Sequence, residues 1–277
     1  MNIFSFLRKL RHGPLRILSP LWLFFGRLYR KAITYTGLKF TVRHCIGPYG
    51  PFQMLPEFAF SDFANWGKEH NSGFIACIEA CQSKTCVLDI GAHIGLVTMP
   101  MSKAVGPQGR VIAVEPSPAN RLALSQHLSL NKLTNVLVID TLIGDKVLKE
   151  AAFYEDPAIS GMNSCTPVKT SSSYAKTSHP QTTIDNICKN YGLQPDIIKI
   201  DVEGWELSVL EGAIQVLKEF RPTIFLSVHP QHLESLQRDA NELPAFLDPL
   251  GYRISDIAGD VVQQFKLDEY LITPKTK

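Results

Sequence analysis

A chain of 277 residues with 45% apolar and 19% charged side chains can bury a sizeable core. That excludes an intrinsically disordered protein and leaves room for one large α/β domain plus an extension. The formal net charge is only +2, but residues 1–43 hold nine Lys/Arg and no acidic residue, leaving 19 basic against 26 acidic side chains in the remainder. A basic head on an acidic body points to an anionic surface, membrane or nucleic acid, meeting the head.

In chain order, residues 1–43 read as two basic amphipathic helices: Asn2–Arg11, and a second from about Pro14 or Ser19 to Lys31 centred on Leu21-Trp-Leu-Phe-Phe25. Arg16 and Arg27 bracket only ten residues, too few for a membrane span of about 20. A cleavable signal peptide is not expected either, since the apolar run lies late and no small-residue cleavage site follows. An interfacial helix with Trp22 and Phe24 in the acyl boundary is one reading. Packing of the same residues on the catalytic domain or on a second subunit is the other. Gly47, Pro48, Gly50, Pro51 and Pro56 make residues 41–60 a loop-rich lead-in, and the catalytic domain is expected from residue 57 to 277, after an extension over 1–56.

A helix over 62–84, interrupted near Asn71-Ser-Gly73, leads into alternating elements: strand 86–90, helix 94–105, strand 110–114, helix 118–131 and strand 136–140. That succession predicts a parallel sheet. Ala151–Tyr154 reads as a short strand, and residues 164–183, with ten Ser/Thr, read as a long polar loop serving as a lid. Regular elements resume with helix 184–191, strand 196–201, helix 206–219, strand 222–228 and a helical stretch over 231–248. A closing hairpin is expected over 252–257 and 269–273. The six cysteines show no Cys-x-x-Cys pair and no zinc-like spacing with histidine, and are read as reduced thiols of a cytosolic protein.

Two stretches carry the chemistry. Cys86-Val-Leu-Asp-Ile-Gly-Ala-His-Ile-Gly95 is a strand, an acidic-glycine turn and a helix start, with ligands expected beyond the strand's carboxyl end. A dinucleotide fingerprint counted from Gly91 would need glycines where His93 and Leu96 stand. The turn therefore suits a cofactor without a pyrophosphate, and Asp89 favours a positively charged one; S-adenosylmethionine (SAM) meets both conditions. The next strand ends on Glu115, placed to accept hydrogen bonds from ribose hydroxyls. His93, inside the turn, is read as a cofactor-side contact, and His179 as solvated.

The second stretch, Ile197-Ile-Lys-Ile-Asp-Val-Glu-Gly-Trp-Glu206, crowds three carboxylates at a strand end. Such crowding implies a cation, a shared proton or helix-terminal amides nearby. Glu206 complements the following helix dipole, leaving Asp201 and Glu203 for function. His229, closing the strand over 222–228, is the first choice of base for a hydroxyl acceptor, with Asp201 second and Glu203 alongside. A strand-end histidine bonded to backbone is the competing reading. No metal is assigned: Asp201 and Glu203 holding Mg²⁺ is the runner-up, lacking a third ligand.

Asp89-Ile-Gly-Ala-His-Ile-Gly95, Val114-Glu-Pro116, Thr182-Thr-Ile-Asp185, Lys199-Ile-Asp-Val-Glu-Gly-Trp-Glu206, Leu210-Glu-Gly-Ala213 and Arg221-Pro222 together resemble an FkbM-type methyltransferase over roughly residues 57–274. The resemblance implies a Rossmann-like class I fold, a seven-stranded mostly parallel sheet in the order 3-2-1-4-5-7-6, and O-methylation of a hydroxyl on a sugar, polyketide, glycan or other metabolite. It implies that Asp89, Gly91, Ala92 and Gly95 line the methionine end of SAM, Glu115 its ribose, and Gly144 and Asp145 its adenine, with Asp201 also at the cofactor. In this family the strand before His229 commonly carries an acid two residues earlier; here that position is Ser227. The departure leaves a changed acceptor, or a SAM-binding scaffold recruited through residues 1–43, as alternatives. A nucleic-acid substrate is not expected, because the core is acidic and no matching catalytic motif is present.

Overall fold

A computed structural model describes residues 16–67, 72–167 and 173–275, together with Leu7 and Arg11. The helix expected over 2–11 lies outside the described residues except at Leu7 and Arg11. The chain divides into two compact units, Met1–Trp66 and Gly67–Lys277.

In the first unit, helix α1 (Ser19–Thr36) ends at Gly37, whose left-handed φ of 62° lets its N–H reach back to the Ile33 carbonyl. Two strands follow, β1 (Val42–Ile46) and β2 (Tyr49–Met54), paired antiparallel. The loop-rich reading of 41–60 is corrected here. Val42, His44 and Ile46 are buried while Arg43 and Cys45 are exposed, a period-2 pattern that the glycines and prolines of the partner strand obscure. The Tyr29 hydroxyl donates to the Pro56 carbonyl at 2.9 Å, and its ring meets Phe60 edge-on at 4.9 Å. Residues 57–66 thus pack with the extension, and the boundary moves from residue 57 to residue 67. Along α1, Trp22, Gly26, Tyr29 and Ile33 are buried or half-buried, as their i, i+4, i+7, i+11 spacing requires. Leu21, Phe24, Phe25 and Leu28, on the other side, are 48–58% exposed. No helix among the described residues is long and apolar enough to cross a membrane.

The second unit begins with helix α2 (Ser72–Ala80). Residues 62–67, expected to be helical, are turns and irregular chain. The main sheet uses β3 (Cys86–Ile90), β4 (Arg110–Val114), β5 (Val136–Ile139), β9 (Ile197–Ile200), β10 (Thr223–Val228), β11 (Tyr252–Asp256) and β12 (Asp268–Pro274), in the order β11-β12-β10-β9-β3-β4-β5. Numbered by themselves, these seven strands run 3-2-1-4-5-7-6, as expected. Six run in one direction, five of them paired parallel to one another, and β12 enters antiparallel between β10 and β11. β3, β9 and nearly all of β10 are buried, which is why they read as continuous apolar runs. Helix α3 (Thr98–Val105) follows the glycine turn, and helix α4 (Pro118–Leu130) follows β4.

A second, three-stranded sheet is built from β6 (Leu142–Ile143), β7 (Leu148–Glu155) and β8 (Ala175–Thr182), in the order β6-β8-β7. Residues 175–182 are therefore strand, not lid. Thr177, His179 and Gln181 point inward alternately, a period hidden by their polarity. His179 is paired with Glu155 at 2.8 Å and set edge-on to Phe153, so its reading as solvated is corrected. Helix α5 (Ile184–Tyr191) follows β8, and helix 206–219 is broken into α6 (Glu206–Glu211) and α7 (Ile214–Glu219); a Cβ on Gly212 would lie 2.0 Å from the Gly144 carbonyl oxygen. All six cysteines are unpaired.

Candidate active site

The glycine turn leaves β3 at the middle of the sheet. Gly91 and Ala92 donate their N–H groups to the Val114 carbonyl, both at 3.0 Å, which draws the turn against β4. Gly91 has φ +81°, and a Cβ there would lie 1.9 Å from the Asp201 carbonyl oxygen. The two motif-bearing turns are therefore in direct backbone contact.

Glu115 is buried at the end of β4. Its carboxylate accepts from His93 N (2.8 Å), Ser117 N (3.0 Å) and Asn120 Nδ2 (3.3 Å). Burial nevertheless pushes it up to about 7. His93 has a left-handed φ of 51°; burial, then Lys199, lower its ring to about 4, so it is neutral, and its buried Nε2 has no hydrogen-bond partner among the described residues. An unpartnered ring nitrogen, the free lone pairs of Glu115 and the unpartnered buried Ser117 hydroxyl fit a ligand rich in hydroxyl and amine groups. SAM is such a ligand.

If Glu115 accepts from ribose hydroxyls, its ionised form binds better, and SAM affinity should rise with pH through about 7 and level above it. Calorimetry between pH 6 and 8.5 tests this. Glu115→Ala should weaken binding by about 1–3 kcal/mol and flatten the profile. An unchanged profile in the variant would remove Glu115 from the cofactor site.

Asp89 does not line an open surface. It is fully buried, accepting from Thr98 Oγ1 at 2.6 Å and paired with Lys199 Nζ at 3.1 Å. Lys199 also donates to the Gly91 carbonyl at 2.8 Å and lies 3.8 Å from Asp201. Burial alone would lower Lys199, but Asp89 and Asp201 outweigh it and hold the ammonium charged. Asp89 thus acts through Lys199 on the turn, a correction to its expected place at the methionine end. A glycine at 95 is required by packing: φ is +91° and a Cβ would meet Leu124 at 2.7 Å. Gly144 packs on Gln181, and Asp145 N donates to the Ser208 hydroxyl oxygen at 3.1 Å; both lie at the head of the three-stranded sheet.

Asp201, Glu203 and His229 converge at the carboxyl ends of the adjacent strands β9 and β10. His229 Nε2 is 3.8 Å from Asp201 and 3.6 Å from Glu203, and His229 Nδ1 is 2.7 Å from Glu206. His229 is therefore not a backbone-bonded histidine. Glu206, expected to serve only the helix dipole, is fully buried beneath it and also accepts from Gly204 N at 2.9 Å. Burial opposes charge on His229, but the Glu206 hydrogen bond, then Glu203, Glu206 and Asp201, push it up to about 9. Burial likewise pushes Glu203 up to about 7. The third ligand missing from the sequence reading of a metal site is thus present: one atom from each of Asp201, Glu203 and His229 lies within 4.8 Å of the others.

Ser227 stands opposite Glu269 in the β10–β12 ladder. Glu269 is buried, accepts from Gly73 N at 3.1 Å, and is pushed up to about 8 by burial and secondarily by Asp201. An acid is thus present across the strand, though not at 227. Residues 156–167 cross from the cofactor acid to the second turn. Ser160 exchanges two hydrogen bonds with the Asn120 side chain (2.8 and 3.1 Å), Gly161 faces the His93 ring, and Ser164 donates to the Glu203 carbonyl at 2.9 Å. This strap lies earlier in the chain than the lid expected over 164–183, of which 168–172 are outside the described residues.

Among solved structures, the chain is similar to a methyltransferase FkbM from Methylobacillus flagellatus at 20% identity, covering 69% of this chain and 44% of that one, with a TM-score of 0.47. It is also similar to the fibrillarin pre-rRNA processing protein of Methanococcus jannaschii (15% identity, 76% and 78% covered, TM-score 0.47). A third is a precorrin-6y C5,15-methyltransferase from Geobacter metallireducens (16% identity, 74% and 89% covered, TM-score 0.44). The chain thus spans less than half the length of the Methylobacillus protein. No curated protein matches the sequence. Residues 89–254, more than half of the chain and both motif-bearing turns, match the methyltransferase FkbM domain family. The chain belongs to the FkbM methyltransferase family.

Proposed function

We propose that the protein transfers the methyl group of SAM to a hydroxyl of a small molecule or glycan, and that the acceptor sits against Asp201, Glu203 and His229. One observation carries this reading: Gly91 of the cofactor turn touches the backbone of Asp201. A ligand held along residues 91–95 therefore lies beside the carboxylate–histidine cluster. SAM supplies a methyl group made electrophilic by its sulfonium. The surrounding Asp201, Glu203 and Glu206 favour that positive charge. What remains for the chain is to align a nucleophile and to dispose of the proton that a hydroxyl loses as it attacks. Glu206 fixes the His229 ring, and the cluster offers acceptors for a hydroxyl proton. The strap over 156–167 touches both turns, through Asn120 on one side and the Glu203 carbonyl on the other.

The test is methylation of cell extracts with labelled SAM, followed by mass identification of the product. A methyl ether supports the reading; methylation confined to nitrogen or carbon overturns it. His229→Ala should lower turnover at least about 100-fold while SAM binding, measured by calorimetry, is unchanged.

We further propose that α1 rests on an anionic membrane surface. Its exposed side presents Leu21, Phe24, Phe25 and Leu28, and residues 1–43 carry nine basic side chains and no acid. That combination suits an acyl boundary beneath charged headgroups.

A further inference from the structure

The geometry points to a divalent transition-metal site formed by Asp201, Glu203 and His229, which would present a pair of neighbouring acceptor oxygens to the methyl donor. The site itself stands on geometry; the nature of its acceptor rests on the O-methylation reading above.

The argument begins at Glu206. A proton on His229 Nδ1, 2.7 Å from the Glu206 carboxyl, would be shared with that group. Nε2 is then the nitrogen that faces Asp201 and Glu203. At 3.8 and 3.6 Å those oxygens are beyond hydrogen-bond distance, so a proton on Nε2 would bridge to neither well. One metal ion bound at about 2.1 Å to each of two atoms spans separations up to about 4.2 Å. The separation of Nε2 from each oxygen therefore falls within that span, and all three atoms lie within 4.8 Å of one another. A buried carboxylate behind the imidazole is the usual outer partner of a metal-bound histidine, fixing its tautomer and orientation.

The ligands are held by separate elements: Asp201 by the end of β9, Glu203 by a left-handed turn with φ 51°, and His229 by the end of β10. All three side chains are partly open, at 26%, 22% and 12% exposure, so an ion would keep coordination positions for the acceptor. One imidazole and two carboxylates suit Mn²⁺ or Zn²⁺ better than the all-oxygen preference of Ca²⁺. An ion with three protein ligands has room for two oxygens on adjacent carbons, and would orient one of them while lowering its pKa. A vicinal diol or an α-hydroxy carbonyl has that shape.

The full-length protein, stripped with EDTA and dialysed, would be titrated with Mn²⁺ while the free-ion EPR signal is followed. One site per chain is expected, with imidazole nitrogen coupling in the pulsed spectrum. His229→Ala should remove that coupling and weaken binding at least about tenfold, and Glu206→Gln should weaken it about 10- to 100-fold. SAM calorimetry on each variant reports whether it is folded. Absence of stoichiometric Mn²⁺ or Zn²⁺ binding by the wild type overturns the inference, as does wild-type affinity in folded His229→Ala. Methyl ether formation that persists in EDTA, without metal binding, overturns the metal site and leaves the O-methylation reading intact. Metal binding accompanied by methylation only at nitrogen or carbon does the reverse.

Discussion

Replacing Lys199 with methionine is expected to cost the folded protein about 3–5 kcal/mol, the scale for breaking a buried ion pair by removing one partner. Lys199 is 3% exposed and serves three groups: Asp89, Asp201 and the Gly91 carbonyl. Without it, Asp89 keeps only the Thr98 hydroxyl as a donor and has no route to water. Chemical denaturation should show the loss directly, and the melting temperature should fall by roughly 10 °C for a chain of this size. Adding Asp89→Asn should restore part of the stability, because no charge is then left buried alone. Coupling between the two substitutions above about 1 kcal/mol is the expected sign of a direct pair. A single-variant loss within about 0.5 kcal/mol would mean that Lys199 is not stabilised by these partners. SAM affinity should fall as well, since the Gly91 carbonyl would lose the donor that holds its turn.

Lys199 also marks where the sequence becomes hard to read. The sheet was legible because buried parallel strands announce themselves: Cys86–Ile90, Arg110–Val114 and Ile197–Ile200 are apolar runs bounded by turns. Their acidic ends, Asp89, Glu115 and Asp201, could be located to the residue. Their partners could not, because pairing depends on which strands become neighbours. Lys199 sits between Ile198 and Ile200 in a strand with no exposed position, and that placement was the one available signal. Glu206 looked like a helix-dipole residue. Its contact with His229 spans 23 residues and exists only because β9 and β10 are paired. The same holds for Glu269, which reaches Ser227 through the closing antiparallel strand. Where sequence patterns misled, polar or conformationally special residues sat on real strands: Gly50 and Pro51 in β2, and Lys176 to Gln181 in β8. The β8 residues follow the alternation of a strand without the apolar side chains that usually reveal it, while Gly50 and Pro51 are both exposed and break it.

Binding of the full-length protein to vesicles should require anionic lipid and fall steeply as salt is raised. Each Lys/Arg near such a surface contributes up to about 1 kcal/mol, and inserted aromatic and leucine side chains add apolar burial. Residues 1–43 carry nine basic side chains, so the two contributions together can reach several kcal/mol. The faces of α1 separate this from ordinary packing. Tyr29 and Ile33 are already engaged within the first unit, through Pro56 and Phe60 and through burial, while Phe24 and Phe25 are more than half exposed. Phe24→Glu with Phe25→Glu should therefore abolish vesicle co-sedimentation and leave the melting temperature and SAM affinity unchanged, since every residue assigned to the cofactor lies beyond position 85. Removing aromatic surface while adding negative charge opposes both contributions at once, so a large effect is expected. If the double variant instead changes the oligomeric state, while the unmodified protein ignores anionic vesicles, the exposed face of α1 packs against another copy of the chain and not against lipid.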